Sequence, residues 1–277
     1  MTCLSHMSEI LSQFDLFAFD QYGTLHDGVA AYPGANGVLS QLRDAGKKIA
    51  VVSNSGRTGQ YNRARLDSLG LNVEGLTVIT SGDCLELWLK QNYPGGSLKI
   101  FVFGHSIQLL PGCEHAADIA GADLVVFNGL PADATETEIV QHLDKALRKG
   151  IPLVCTNPDE VALEGARSYR ATGSFARNYQ RKGGTVTFIG KPFPLIFEIT
   201  KARFPDVDAQ RVIYIGDSLE HDVKGAALTG IKSLWLLNGV HRSEFDGVTS
   251  EAKWGIVRTL LADSETQPDF VMEELAW

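Results

Sequence analysis

The sequence has few cysteines, no long apolar run and no excess of basic residues. Cys3, Cys84, Cys113 and Cys155 form no CxxC pair and no Cys/His cluster with zinc spacing, which indicates reduced thiols in a cytoplasmic protein. The first residues, MTCLSHMSEI, lack a basic segment followed by an apolar one, and no apolar run approaches the ~20 residues that span a bilayer. We therefore expect neither a Sec-dependent secreted protein nor an integral membrane protein.

The charge balance is acidic, with 25 Lys and Arg against 33 Asp and Glu, a formal net charge of −8. Such a surface repels phosphate backbones at long range, so we expect no nucleic-acid partner. A small anionic substrate can still be held by local donors. The 277 residues, 44% of them hydrophobic, suit one large or two ordinary domains with a sizeable core.

Short β-branched and aromatic runs alternate with helical patterns along the chain. This alternation, with runs that are near-continuously apolar, predicts an α/β protein with a parallel sheet. The predicted strands are residues 14–20, 48–53, 76–80, 98–103, 123–127, 151–155, 185–189, 211–216 and 231–236. The predicted helices are residues 34–45, 58–69, 82–91, 135–149, 173–181, 195–204 and 222–229.

Polar side chains follow four of these runs, at the strand ends where ligands bind in open α/β sheets. Asp20 ends the first run before Gly23 and Gly28, where a carboxylate can act as nucleophile or metal ligand, or simply cap a turn. Ser53 and Asn54 end the second run and lead into a helix, which suits either an anion site or a plain N-cap.

The other two strand ends carry charged residues. Lys191 lies between Gly190 and Pro192, where it can direct a positive charge into the crevice or be solvated. Asp217 ends a further run, and Asp222 follows near a helix start. These two carboxylates can hold a hard divalent cation, with Asp217 on the ion and Asp222 behind it, or they can act as caps.

In their order and spacing, the four segments resemble the motifs of the haloacid dehalogenase (HAD) superfamily of hydrolases. The long insertion lies between Ser53 and Lys191, as in the class II caps of that superfamily. Its landmarks resemble the class IIA subgroup of NagD-like and 4-nitrophenylphosphatase-like enzymes: TSGD at 80–83, TNPDEVALEG at 156–165, GSFARNYQRKGG at 173–184 and IGKP at 189–192. The resemblance implies a Rossmann-like parallel-sheet HAD core over residues 1–80 and 185–277, with an inserted α/β (C2-type) cap domain over residues 81–184.

The resemblance also implies the reaction, the hydrolysis of a small phosphorylated metabolite. Asp20 would attack phosphorus and form an aspartyl-phosphate. Ser53 and the N–H of Asn54 would hold the transferring phosphoryl group, and Lys191 would offset negative charge on the nucleophile and the phosphate. Such a division of labour suits phosphoryl transfer, in which positioning and charge neutralisation dominate.

The implied cofactor is Mg²⁺. It would be bound by Asp20, the backbone carbonyl of Tyr22 and Asp217, with Asp222 supporting them. Tyr22 is also where the chain departs from the family, whose phosphatases carry there a second Asp that protonates the leaving group and later activates water. A phenol with a reference pKa of ~10 is a poor base at neutral pH, and loss of a general acid/base typically costs ~10²–10⁴-fold.

Three interpretations follow from this departure. The favoured one is a Mg²⁺-dependent phosphatase that is slow because of Tyr22. The second is a catalytically weak protein that binds a phosphorylated metabolite. The third is a metal-free 2-haloacid dehalogenase, because the segment DQYGT at 20–24 resembles the start of such enzymes. A dehalogenase, however, has no need of Asp217 and Asp222, and it carries its cap after the first motif.

Several other residues have two interpretations each. His26 and Asp27 could replace the missing acid or could be turn residues. Asn157 and Asp159 would face the substrate by family resemblance, or form an Asx-turn before Pro158. Trp88, Trp235 and Trp254 are interpreted as packing residues. The sequence does not name the substrate, and a homodimer is left open because caps of this class often dimerise in relatives.

Overall fold

The computed structural model describes residues 1–95, 97–131, 134–164, 167–245 and 247–277. Gly165, the last residue of the 156–165 motif, lies outside the described residues. The chain divides into two compact units: unit 1 comprises Met1–Ser53, Arg63–Ile79 and Lys191–Trp277, and unit 2 comprises Asn54–Asn62 and Thr80–Gly190.

Strands and helices alternate along most of the described chain. The strands are β1 (Thr2–Cys3), β2 (Leu16–Phe19), β3 (Lys48–Ser53), β4 (Leu76–Thr80), β5 (Lys99–Gly104), β6 (Glu114–His115), β7 (Leu124–Asn128), β8 (Leu153–Cys155), β9 (Val161–Glu164), β10 (Arg167–Arg170), β11 (Val186–Phe188), β12 (Val212–Gly216), β13 (Lys232–Leu236) and β14 (Phe270–Met272). The helices are α1 (Ala35–Asp44), α2 (Gly59–Ser68), α3 (Ser81–Asn92), α4 (Glu136–Arg148), α5 (Thr172–Arg181), α6 (Pro194–Ala202), α7 (Lys224–Leu228), α8 (Arg242–Phe245) and α9 (Ser250–Asp263).

The sheet of unit 1 has seven strands in the order β1-β14-β13-β12-β2-β3-β4. The pairs from β1 to β3 are parallel. Six of the strands follow the doubly wound order, in which the direction of winding reverses between β2 and β12. That reversal point is where an open α/β sheet binds its ligands.

The strands of unit 1 are apolar because they are buried on both faces. All four residues of β2 and all five of β12 are buried. Helix α1 covers one face through Val38, Leu39 and Leu42, which recur at helical spacing and pack with Phe17 and Phe19 in one core cluster. Burial of an apolar side chain of this size contributes about 1.5–3 kcal/mol.

Unit 2 has its own parallel sheet of five strands, in the order β11-β8-β7-β5-β6, and an antiparallel pair, β9 and β10. Helix α4 begins with a capping box, in which Thr135 Oγ1 accepts the Glu138 N–H and Glu138 Oε2 accepts the Thr135 N–H. Its residues Ile139, Leu143 and Ala146 lie on one face and enter a separate core cluster. The predicted α/β fold with parallel sheets and an inserted α/β region is confirmed.

The structure differs from the prediction at the return from the insertion. The prediction of a core domain over residues 185–277 places the run at 185–189 in the sheet of unit 1. In the structure this run contains β11, which joins the sheet of unit 2 by pairing with β8, with Val186 opposite Leu153 and Phe188 opposite Cys155. Unit 1 therefore resumes at Lys191. The apolar pattern of a three-residue strand predicts a strand but does not identify its partner, which tertiary packing decides.

Within the described ranges, every helix is too short or too polar to traverse a lipid bilayer.

Candidate active site

Two aspartates follow adjacent strands of unit 1. Strands β2 and β12 are parallel neighbours, with Phe19 opposite Ile215, and the backbone N–H of Asp20 donates to the carbonyl of Ile215 at 2.8 Å. Asp20 and Asp217 therefore leave the sheet side by side, where the winding direction reverses. Each of these two residues and Asp222 offers a carboxylate oxygen, and the three oxygens lie within 4.8 Å of one another.

The carboxylate of Asp217 lies against two glycines. A Cβ added at Gly23 or at Gly239 would come within 2.1 Å of Asp217 Oδ2, so a side chain at either position would displace it. Gly23 also has a φ of 81°, which an L side chain rarely adopts. The Val240 N–H donates to the same oxygen at 2.6 Å. Because Gly23 follows Tyr22, its close approach brings the Tyr22–Gly23 peptide beside the Asp217 carboxylate.

Lys191 joins two of the carboxylates. Its Nζ donates to Asp20 Oδ1 at 2.5 Å and to Asp222 Oδ1 at 2.7 Å, and the lysine is 3% exposed. The other oxygen of Asp222 accepts the Ser218 N–H at 3.0 Å. The absence of a side chain at Gly216 lets Asp222 approach the strand end, since a Cβ there would lie 2.2 Å from the Asp222 Cγ. Both oxygens of Asp222 thus have protein donors.

The cluster holds more negative than positive charge in a buried place. Burial raises the pKa of Asp20 to about 7, and the charge of Asp222 adds to this rise while the nearby Lys191 opposes it. Burial, with the charges of Asp20 and Asp222, also raises the pKa of Asp217 well above its usual range. Burial acts to lower the pKa of Lys191, but the two carboxylates outweigh it and hold that pKa well above its ordinary value.

A divalent cation fits this donor set. Three buried carboxylates face one ammonium group, so the cluster lacks positive charge, and carboxylate oxygens are the ligands that Mg²⁺ prefers. The three carboxylate oxygens are already close enough together to share one ion. The residues predicted to hold the metal are therefore compatible with it.

The loop after Asp20 places Tyr22 beside His26. Their ring centroids are 5.7 Å apart at 88°, an edge-to-face contact, and a Cβ at Gly28 would lie 2.9 Å from Tyr22 Cε2. His26 is 1% exposed, and its Nδ1 accepts the Gly28 N–H at 2.9 Å, so the proton of the neutral ring is on Nε2. Burial, with a smaller effect from Arg65, lowers the pKa of His26 to about 4.

These contacts favour the turn interpretation for both His26 and Asp27. His26 is buried and its Nδ1 accepts a backbone N–H within the loop, so the ring stabilises the turn. Asp27 Oδ1 accepts the N–H groups of Val29 and Ala30 at 2.8 Å each, and its carboxylate closes the turn.

The second motif ends unit 1 and begins a segment of unit 2. Ser53 is the last residue of β3 and is buried, and Asn54 is buried in turn. The Asn54 side-chain amide donates to Asp159 Oδ1 at 2.7 Å. The Asp159 N–H donates to Asn157 Oδ1 at 2.9 Å, which is the Asx-turn around Pro158 that the sequence left open.

Sequence reasoning missed the segment that follows β13. Val240 and Gly239 contact Asp217, and the indole N–H of Trp235 donates to the Asp217 carbonyl at 2.9 Å. Trp235 is fully buried, as expected of a packing residue, but it also fixes this strand end. The position of this segment in the chain was the one indication of its role. It follows β13, a parallel neighbour of β12, so it leaves the sheet at the same edge as Asp217.

Comparisons with known proteins identify the class. Residues 17–121 match the family model described as haloacid dehalogenase-like hydrolase, and residues 188–277 match a second HAD hydrolase-like model. A glycerol-3-phosphate phosphatase of Gallus gallus is 30% identical over 261 residues, which are 85% of this chain and 83% of that protein. The chain belongs to the haloacid dehalogenase-like hydrolases.

Two solved structures agree with this assignment. A haloacid dehalogenase-like hydrolase from Brucella suis covers 99% of this chain and 100% of its own, with 25% identity and a TM-score of 0.79. A 4-nitrophenylphosphatase from Thermotoga maritima covers 96% of each chain, with 25% identity and a TM-score of 0.71. The predicted HAD class IIA resemblance and the predicted phosphatase class are confirmed.

Proposed function

We propose that this phosphatase hydrolyses small phosphorylated metabolites through a covalent intermediate on Asp20. The observation that carries the proposal is the buried cluster in which Lys191 bridges Asp20 and Asp222 while Asp217 lies within 4.8 Å of both. Such a cluster unites a nucleophile with a fixed positive charge and with ligands for a divalent cation, as phosphoryl transfer requires.

In the first step, Asp20 Oδ2 forms a bond to phosphorus, since Oδ1 accepts from Lys191. The bond from phosphorus to the ester oxygen breaks, and its electron pair leaves with that oxygen. Lys191 offsets charge on the nucleophile, while the Ser53 hydroxyl and the Asn54 N–H hold the phosphoryl oxygens. In the second step, water forms a bond to phosphorus, and the bond from phosphorus to Asp20 Oδ2 breaks with its electron pair returning to the carboxylate. The proton that water loses passes to the departed ester oxygen or to solvent, and inorganic phosphate leaves.

The proposed cofactor is Mg²⁺, held by Asp20, Asp217 and the carbonyl of Tyr22, with Asp222 supporting. It would supply positive charge to the phosphoryl oxygens and the nucleophile. The proposal is supported by the three carboxylate oxygens, which lie within 4.8 Å of one another. It is also supported by the close approach of Gly23 to Asp217, which brings the Tyr22–Gly23 peptide beside that carboxylate.

Tyr22 makes the proposed enzyme slow on substrates with poor leaving groups. The phenol does not act as a carboxylic acid toward a departing alkoxide, and His26, which is buried with its Nδ1 on the Gly28 N–H, does not replace it. Aryl and acyl phosphates, whose leaving groups need little proton assistance, are therefore the preferred substrate class. The names of the relatives provide one assay substrate of each kind, glycerol 3-phosphate and 4-nitrophenyl phosphate.

The remaining parts of the proposal concern the setting of the enzyme. Unit 2 acts as the cap domain and selects the substrate, with Asn157 and Asp159 in one of its loops. The enzyme works in the cytoplasm, which agrees with the absence of disulfides among Cys3, Cys84, Cys113 and Cys155. We expect no nucleic-acid partner. Light scattering tests whether the enzyme forms a homodimer.

The deciding experiment compares the wild type with Asp20→Asn on 4-nitrophenyl phosphate and glycerol 3-phosphate, in Mg²⁺ and in EDTA. We expect Mg²⁺-dependent phosphate release by the wild type and a loss of more than about 1,000-fold in the variant. Asp144→Asn, which removes an exposed partner of Lys182 in unit 2, is the matched control and should retain full activity.

Each alternative has its own outcome in this experiment. Chloride release from a 2-chloroacid without metal would identify a dehalogenase. Binding of phosphate without turnover of either ester would identify a phosphometabolite-binding protein. Full phosphate release by Asp20→Asn would refute Asp20 as the nucleophile.

A further inference from the structure

A hydrogen bond within unit 2 connects the second motif to a loop 105 residues away. The Asn54 Nδ2 donates to Asp159 Oδ1 at 2.7 Å, and Asn54 is 6% exposed. Since a carboxylate accepts this bond, it is charge-assisted and stronger than a bond between neutral groups.

The loop that presents Asp159 is held in place on both sides. The Asx-turn from Asn157 fixes the Asp159 backbone N–H, and the Gly173 N–H at the start of α5 donates to the Asp159 carbonyl at 2.9 Å. A Cβ at Gly173 would lie 2.0 Å from the Pro158 carbonyl oxygen, so the helix approaches the loop closely because this residue is glycine. Asp159 therefore presents its carboxylate from a fixed backbone.

The bond also decides which way the Asn54 amide is turned. With Nδ2 on Asp159, the carbonyl oxygen Oδ1 lies against Gly190, where a Cβ would come within 2.7 Å of it. A flipped amide would set its oxygen against the carboxylate, two acceptors face to face. Holding this buried side chain also restricts the backbone of Asn54. The N–H of that backbone is the group proposed, together with the Ser53 hydroxyl, to bind the phosphoryl oxygens.

We propose that Asp159 is a positioning residue that acts through Asn54 on the transferring phosphoryl group and does not itself contact the leaving group. The inference rests on the proposed function, because it takes the Asn54 N–H as a phosphoryl donor. It differs from the expectation that Asp159 faces the substrate. A residue that acts through the phosphoryl group affects every phosphomonoester alike, and it affects inorganic phosphate too.

The test uses Asp159→Ala and Asp159→Asn in the full chain, with inorganic phosphate as a competitive inhibitor. For Asp159→Ala, we expect kcat/KM to fall by about 10-fold on both 4-nitrophenyl phosphate and glycerol 3-phosphate, with a matching rise in the phosphate inhibition constant. Asp159→Asn should recover most of this loss, because an amide oxygen still accepts the Asn54 N–H. In an Asn54→Ala background, Asp159→Ala should add no further loss.

Several results would overturn the inference while leaving the proposed function intact. These are an unequal loss on the two esters, an unchanged phosphate inhibition constant, and an additive loss in the double variant. Asp159→Asn as poor as Asp159→Ala would also refute it, since the charge itself would then matter. Failure of the proposed function is seen separately, as a wild type that neither hydrolyses either ester nor binds phosphate. Thermal melts of each variant, with Asp144→Asn as control, show whether the fold is kept.

Discussion

Replacing Tyr22 with aspartate tests the chemistry of the leaving group directly. The variant supplies a carboxyl group two positions after Asp20, the proposed nucleophile, where the wild type has a phenol. Since Tyr22 packs edge-on against His26 and close to Gly28, the shorter aspartate leaves space in that corner of the loop. We expect Tyr22→Asp to raise activity on alkyl phosphates more than on aryl phosphates.

The size of the gain depends on how much a correctly placed general acid contributes. His26 is buried and its Nδ1 accepts the Gly28 N–H, so the loop holds this ring away from a leaving group. General acid catalysis typically contributes ~10²–10⁴-fold. Because His26 and Gly28 pack against a phenol ring and would not hold an aspartate in the same way, we expect a gain near the lower end, about 10²-fold, on glycerol 3-phosphate.

The assay measures kcat/KM for wild type and Tyr22→Asp across phosphate monoesters of graded leaving-group pKa. The wild type should lose activity steeply as that pKa rises, and the variant should show a shallower dependence. Tyr22→Phe is the matched control, because it keeps the ring and adds no acid. A wild-type rate that is fast and flat across the series would refute the reasoning, since another group would then already supply the proton.

Three further predictions concern the metal site, a buried histidine and a helix cap. Asp217→Asn should sharply weaken Mg²⁺ binding measured by calorimetry, and an unchanged affinity would contradict the metal site. His26 is neutral in the folded protein, so the native state binds fewer protons than the unfolded state between pH 4 and 6.5. As the pH falls across this range, the unfolding free energy of the wild type should fall by about 3 kcal/mol, whereas that of His26→Asn should not show this loss. Urea titrations at several pH values measure the difference, and an equal pH dependence of the two proteins would contradict the buried neutral histidine. Thr135→Ala should lower the unfolding free energy by about 1 kcal/mol in thermal melts, and no change would contradict the role of its capping box.

The sequence predicts the candidate site at one edge of the unit 1 sheet because two independent signals coincide there. Apolar runs predict parallel strands, and the polar residue after each run lies at the same edge of the sheet. Asp20 and Asp217 could therefore be placed together without knowing any distance. Their charge environment could not be foreseen, since it depends on how deeply Lys191 and Asp222 are buried.

Weak local patterns explain the elements that sequence reasoning missed. Helix α9 contains Gly255 and an uneven pattern, although Thr249 caps it and Val257 and Leu261 are buried at helical spacing. The three residues of β14 are too few for a periodic signal. The bond between Asn54 and Asp159 joins residues 105 positions apart, and no local pattern contains that information.

The strand order of unit 1 has a consequence for how the chain folds as it is synthesised. In the finished sheet, Leu16 of β2 pairs with Lys48 on one side and with Val212, 196 positions later, on the other. At ~5–20 residues per second, β12 emerges roughly 10–30 s after β3. The apolar strand LFAF has an unpaired edge throughout that interval, and by its end all five strands of the unit 2 sheet have been made. Unit 2 can thus fold on the ribosome before unit 1 closes, and the unpaired edge of β2 is a site for aggregation or chaperone binding until β12 arrives.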